Sequence, residues 1–329
     1  IVFSALTHSY SAAYDRKREA LSKEWFERGS QALTNHQADQ AVEDFRTALL
    51  YAPQRWDYRL RLAEALTATG RTRQARDYYL SLWPSKPTNG PVNLALARLS
   101  AEAGEIPEAE RYYKECLQAR QELDDVRGIA GAINNLGRVA QERGDFARAA
   151  YCYSEAARRF AHLGDRRNLG KVLGSRGALA FAQEDMAAAR KHFEESLQIF
   201  REMDDAHFVA LALGDLGRIT QREGDADDAL RLFRESLQQL FALGDQAGAA
   251  FALALCGQQM VEQGDYRQGL PALYVAHHIC EERNRPERQE VEIWLRQGEQ
   301  RETSTEVAEL QQQAALLTLE DAVALVLRN

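Results

Sequence analysis

The chain is poor in the residues that interrupt or staple a fold. Seven prolines and twenty-one glycines among 329 residues leave room for long, unbroken helices. The four cysteines, Cys116, Cys152, Cys256 and Cys280, stand far apart. They are too few for a disulfide framework and lack the CxxC spacing of a metal knuckle. Each falls in an apolar-periodic stretch, where a thiol behaves as a small hydrophobe, so four buried free thiols are expected. No run of about twenty apolar residues occurs, so no membrane-spanning helix is expected. Positive charge is in deficit as well. The 41 Lys and Arg residues face 49 Asp and Glu, a net charge of −8, which speaks against direct binding of nucleic acid or of an anionic membrane surface. With 45% hydrophobic residues the chain is too apolar to be disordered. It is also too long for one core, so several domains or a repeat array are expected.

The usual chemical signatures are missing too. No GxxxxGK[ST], strand-borne GxGxxG, HExxH, GxSxG or paired CxxC is present, so no catalytic centre, cofactor or small-molecule substrate is expected. His277 and His278 with Cys280 form the tightest cluster. Adjacent histidines on a helix diverge by about a hundred degrees, however, and packing with solvation explains them better than a metal does. Asp225, Asp227 and Asp228 lack the glycine and bidentate glutamate of a calcium loop, and they suit a helix start. His162, His192 and His207 are isolated.

What is present is internal repetition. A small residue recurs every 34 positions at Ala41, Ala75 and Ala109, and then every 40 positions at Ala149, Ala189 and Ala229. An aromatic follows four residues later each time: Phe45, Tyr79, Tyr113, Tyr153, Phe193 and Phe233. A second small residue precedes by twelve, at Gly29, Ala63, Ala97, Gly137, Gly177, Gly217 and Gly257. Turns repeat as Gly144-Asp145, Glu184-Asp185, Gly224-Asp225 and Gly264-Asp265, and unit ends as Leu163-Gly164-Asp165 and Leu243-Gly244-Asp245. Apolar positions at helical spacing on both sides of each turn predict two antiparallel helices per unit. The small residue lets the two backbones approach while the ring fills the space beside it. Neither helix can bury its stripe alone, so the pairs stack. The six extra residues of the longer units are expected to lengthen the second helix by more than a turn.

The spacing small-x11-small-x3-aromatic, with Trp25, Gly29, Ala41, Phe45, Ala48 and Pro53 in the first unit, resembles the tetratricopeptide repeat. The resemblance covers about residues 22–285. It implies an all-α, right-handed superhelical solenoid of antiparallel helix pairs, whose first helices line a concave groove for peptide segments of other proteins. Three 34-residue units are expected over 22–122 and four 40-residue units over 123–285. The opening units are similar to those of bacterial proteins that carry such repeats behind an N-terminal membrane anchor. The later units resemble the C-terminal arms of bacterial signal-transduction ATPases and transcriptional regulators, although this chain contains neither their nucleotide-binding nor their DNA-binding part.

The edges of the array depart from the pattern. In the seventh unit Gly269 replaces the alanine, Leu273 the aromatic, and Pro271 falls inside the second helix, where a kink or late start is expected. Pro286 then precedes a helix near 289–296. Thr303 with Glu306 and Thr318 with Asp321 are spaced as helix N-caps. Leu319, Val323, Val326 and Leu327 would share one face, and residues 286–329 are expected to cap the stack. At the other end Ile1-Val2-Phe3-Ser4-Ala5-Leu6, ahead of Arg16-Lys17-Arg18, makes residues 1–21 a lead-in helix or the remnant of an upstream anchor. Reduced cysteines favour a cytoplasmic location; the alternative is anchoring through a segment before residue 1.

Stepping by four and three from the packed stripe places the candidate groove on the first helices. Unit four supplies Asn134, Arg138 and Gln141, and unit five Lys171, Gly174, Ala178 and Phe181. Unit six supplies Gly214, Arg218 and Gln221, and unit seven Ala254, Gln258 and Val261. Guanidinium and amide groups on facing turns suit an extended backbone or a carboxylate, so the expected partner is a protein segment that is acidic or ends in a free carboxylate. The equivalent face of the first three units, with Phe26, Leu60, Glu64, Leu94 and Arg98, is more apolar and suits an amphipathic helix. Two functions follow: a non-enzymatic scaffold, or the sensory arm of a signalling ATPase or regulator.

Overall fold

The computed structural model describes residues 2–83, 89–282 and 287–328, with side chains from residue 13 onward. Pro286, expected to precede the next helix, lies outside the described residues. Among those described every regular element is a helix. The chain divides into two compact units, one ending at Ala132 and the other beginning at Ile133.

The first unit holds α1 (Val2–Thr34), α2 (Ala38–Tyr51), α3 (Trp56–Ala68), α4 (Thr72–Leu82), α5 (Gly90–Glu102) and α6 (Ile106–Glu122). The division falls within α7 (Val126–Glu142). The second unit continues with α8 (Phe146–His162), α9 (Arg166–Ala182), α10 (Met186–Glu202), α11 (Ala206–Arg222), α12 (Ala226–Ala242), α13 (Gln246–Glu262) and α14 (Tyr266–Glu282). It closes with α15 (Arg288–Glu299), α16 (Ser304–Ala314) and α17 (Leu319–Leu327). Helices pair along the chain, α1 with α2, α3 with α4 and α5 with α6, then α9 with α10, α11 with α12 and α13 with α14. Successive pairs touch, as α10 with α11 and α12 with α13 do, so each unit is an all-α stack of hairpins.

The small-and-aromatic register is the packing contact inside each hairpin. A Cβ placed on Gly137 would stand 2.7 Å from the Tyr153 ring, one on Gly177 2.8 Å from Phe193, and one on Gly217 2.5 Å from Phe233. These rings are buried, and each contributes on the order of 1.5–3 kcal/mol of apolar transfer to its hairpin. In the seventh pair there is no ring. The backbones themselves touch there, a Cβ on Gly269 standing 2.7 Å from the Gly257 carbonyl oxygen. All four cysteines are free and buried, as expected.

Two expectations need correction. The six extra residues do not go to the second helix alone, because α7 to α14 all have 17 residues, whereas α2 has 14, α3 has 13 and α4 has 11. The third hairpin is intermediate, with 13 residues in α5 and already 17 in α6, so the second helix lengthens one hairpin before the first does. Pro271, for its part, neither breaks α14 nor delays it, since the helix begins at Tyr266 and runs through the proline. Leu270, Pro271, Ala272 and Leu273 are buried around it, and packing on that scale offsets the roughly 3 kcal/mol a mid-helix proline costs.

The C-terminal helices fold onto the end of the second stack. α15 packs on α14 and α13, α16 on α14, and α17 on α14, α13 and α12. Val323 and Val326 are buried, with Leu319 and Leu327 against the same cluster. Thr318 and Asp321 form a reciprocal capping box, and the Thr303 hydroxyl accepts from the Glu306 amide. No helix among the described residues is long and apolar enough to cross a membrane.

Candidate functional site

The first helices of the second unit are held by their turns. At the end of α7, Gly144 takes a left-handed φ of 77°, its amide donates to the Gln141 carbonyl, and the Asp145 amide donates to the Ala140 carbonyl. The Asp145 carboxylate then accepts from the Arg148 amide to open α8. The same aspartate cap recurs at Asp165, Asp185, Asp225 and Asp245. This device accounts for the acidic cluster beside Asp225, where Asp228 pairs with Arg231. Among the described residues no group of side chains could hold a metal ion.

Exposure along the candidate face is uneven. Asn134 is half-buried and Arg138 exposed on α7; Lys171 and Ala178 are exposed on α9; Arg218 is half-buried on α11; Ala254 and Val261 are buried on α13. Those last two, together with Gly214, which is buried on α11, are therefore removed from the expected groove. Val261 packs under α15, where a Cβ on Gly298 would stand 3.2 Å from its Cγ1.

The polar residues are not all free to meet a partner. The Gln141 side-chain oxygen accepts from the Tyr153 hydroxyl at 2.9 Å, which ties it to α8. Gln221 and Gln258 both donate to Glu262, at 2.9 and 3.1 Å. The Asn134 Oδ1 is buried and accepts no hydrogen bond within the structure. Phe181 and Arg218 do come together: the guanidinium lies 5.1 Å from the ring centroid, and that of Arg222 lies 5.6 Å from the same ring. Lys171 Nζ lies 4.6 Å from the Phe208 ring, which stacks on Phe200. Arg218 also pairs with Glu290 of α15 at 3.1 Å. Neither Arg138 nor Arg222 makes an ion pair among the described residues.

One carboxylate on this face stands apart. Burial of Asp215, three residues before Arg218, pushes its carboxyl up to about 6, while the Arg218 charge pulls the other way. Sequence reasoning missed Asp215, Arg222 and Glu262, although the same steps of three and four from Arg218 and Gln258 reach all of them. It also missed Phe208, Phe251, Glu290 and Trp294, the last two on a helix outside the repeats, for which no register was available. In the first unit Phe26 is spent on packing: its ring stacks on Tyr58 at 4.3 Å and tilts against Phe45 at 5.5 Å. Glu64 pairs with Arg61 there, leaving Arg98 exposed.

Three family profiles, each described as tetratricopeptide repeat, match residues 168–240, 32–99 and 94–123, together about half of the chain. No curated protein sequence matches it. Among solved structures, the apo form of RapI superposes with a TM-score of 0.64 at 13% identity, over 89% of this chain and 99% of that one. A signal-transduction ATPase with numerous domains from Pyrococcus horikoshii, described as carrying a tetratricopeptide repeat sensor, gives 0.59 at 12% identity, over 90% of this chain but only 47% of that one. A Rap protein complexed with competence and sporulation factor gives 0.51 at 14% identity, over 73% and 75%. At these identities the likeness is one of fold.

Proposed function

Since this chain is a tetratricopeptide repeat protein, we propose that it is a non-enzymatic scaffold whose first helices hold segments of partner proteins, and that the preferred segment is extended and acidic or ends in a free carboxylate. The observation that carries this reading is the state of Arg138 and Arg222. Both are exposed on the candidate face, and both lack an ion-pair partner among the described residues, in a protein whose net charge is −8. Glu142 lies within electrostatic reach of Arg138, but without a close ion pair both guanidinium groups keep their bidentate donors open for a carboxylate. Phe181 beneath Arg222 fixes one of these groups in orientation. The Rap protein solved with competence and sporulation factor is a precedent of like fold for holding a partner.

A second reading makes the chain the sensory arm of a larger signalling ATPase. The P. horikoshii protein favours it, since this chain spans about half of that one. Both readings require the same binding face. The test is fluorescence anisotropy with a labelled hexaglutamate peptide, with hexalysine as control. Hexaglutamate should bind preferentially, and Arg138→Glu combined with Arg222→Glu should weaken it by about tenfold with helical content unchanged. Equal affinity of the double variant and the unaltered chain overturns the reading.

A further inference from the structure

The cap helices leave a space against the seventh hairpin. α16 and α17 both pack on α14, and residues of α14, of the end of α16 and of the start of α17 line a half-open cleft of about 500 Å³. Val275 and Ile279 of α14 make its apolar side, with Ala314, Leu317 and Leu319 from the cap. Val275 and Ala314 are buried and the other three half-buried. Most polar side chains that reach the cleft are engaged elsewhere. The Tyr274 hydroxyl donates to Glu299 Oε1 at 2.6 Å, and the Thr318 hydroxyl donates to the Asp321 carboxylate within its capping box. At the exposed rim His278 pairs with Glu282 at 3.3 Å, and Glu281 with Arg288 at 3.6 Å. His277 differs. Its half-buried ring lines the cleft, and its Nε2 is buried without a hydrogen-bond partner among the described residues. A buried polar atom in that state costs free energy, which a bound group supplying the partner recovers.

We infer that this cleft binds a small, uncharged, largely apolar molecule carrying one hydroxyl, and that the hydroxyl pairs with His277 Nε2. Size, charge and hydrogen bonding each narrow the class. A cavity of about 150 Å³ holds one benzene ring, so the cleft has room for two or three rings. Apolar walls with a single polar group, at this volume, are the makings of a small-molecule site. Glu281 at the rim, with Glu282 and Glu299 behind His278 and Tyr274, stands against an anion. Each of these carboxylates already has a partner, so none is left over for a cation. A hydroxyl both donates and accepts, and so it suits Nε2 whichever ring nitrogen carries the proton. The cleft lies on α14 and the cap, outside the row of first helices, so the site stands without the hexaglutamate result.

The probe is 2-naphthol, measured against the full chain by equilibrium dialysis near neutral pH, with naphthalene and 2-naphthoate as comparators. 2-Naphthol should bind about three- to tenfold more tightly than naphthalene, the gain from one neutral hydrogen bond. The anionic 2-naphthoate should bind more weakly than 2-naphthol. Ala315→Trp, at an exposed position of the rim, sets an indole in the mouth of the cleft and should weaken 2-naphthol about tenfold with helical content unchanged. His277→Phe should leave 2-naphthol and naphthalene binding alike. Absence of 2-naphthol binding to the unaltered chain, or binding that Ala315→Trp leaves unchanged, overturns the site. Equal affinity of the unaltered chain for 2-naphthol and naphthalene, a comparison that needs no variant, overturns the pairing with His277, as does a preference that survives in His277→Phe. Tighter binding of 2-naphthoate than of 2-naphthol overturns the choice of an uncharged ligand.

Discussion

The 34-residue and 40-residue repeats solve the same packing problem with different local means. In the shorter repeats the hairpin turns are weakly capped: Gln37, Arg71 and Glu105 occupy N-cap positions without a side-chain hydrogen bond to the helix. Ion pairs link neighbouring hairpins in both kinds of repeat: Arg71 to Asp39 and Arg76 to Glu105 in the shorter, and Arg167 to Asp205 and, from the position equivalent to Arg76, Arg190 to Glu223 in the longer. In the longer repeats nearly every helix opens on a capping aspartate, and the helices are uniform in length. The difference lies in local encoding: the longer helix pairs specify their own starts through capping aspartates, whereas the hairpin turns of the shorter pairs carry no such cap.

Three experiments would break or sharpen that contrast. The largest effect is expected at the helix crossing. Gly217→Ala puts a methyl into the Phe233 ring and should cost about 1–3 kcal/mol in denaturant unfolding. Ala63→Gly, at the matching position of a short repeat, should cost only about 0.5–1 kcal/mol through backbone entropy. Equal costs would mean that the two repeat types cross alike. Next, Asp185→Ala should cost about 1 kcal/mol, whereas Gln37→Ala, which removes no cap bond, should stay within about 0.5 kcal/mol. A comparable loss at Gln37 would abolish the distinction in capping.

The smallest effect is one of pH, and it singles out Asp215, since arginine-held carboxyls occur in both regions, as Glu155 beside Arg158 shows in the longer repeats. Arg55 and Arg76 hold the Asp57 and Glu105 carboxyls below their ordinary values through side-chain hydrogen bonds. Groups of this kind add stability above the usual carboxylate range and lose it as pH falls. Asp215 does the reverse. With its folded value near 6 and an unfolded value of about 4, it keeps its proton more firmly in the native state, so its contribution is full below about pH 4 and is lost as pH rises through 6. Asp215→Asn should therefore remove a decline in stability of about 1 kcal/mol between those limits, read from unfolding midpoints across pH. A decline that persists in the variant would place its source elsewhere.

The hairpin register was legible because a small residue and a ring twelve and four positions from a common alanine meet within one unit, and the spacing alone specifies the contact. Helix lengths were less legible, since hydrophobic periodicity does not say on which side of a turn extra residues are added. Pro271 misled because local cost was weighed without the buried neighbours that offset it. At the candidate site the face was readable by steps of three and four, but its occupancy was not. Gln141 is captured because unit four carries tyrosine where units five and six carry phenylalanine, and only a hydroxyl at that position can reach it. The partnership of Arg218 with Glu290 joins a repeat to a segment that has none, so no periodic pattern announces it.

The recurrence of one turn, a left-handed residue followed by a capping aspartate, carries a consequence for the gene. Because neighbouring equivalent turns lie forty codons apart, unequal crossover between two neighbours would delete or duplicate one whole hairpin and leave the junction chemically intact. The number of hairpins is thus a copy number, adjustable in single steps without inventing a new joint.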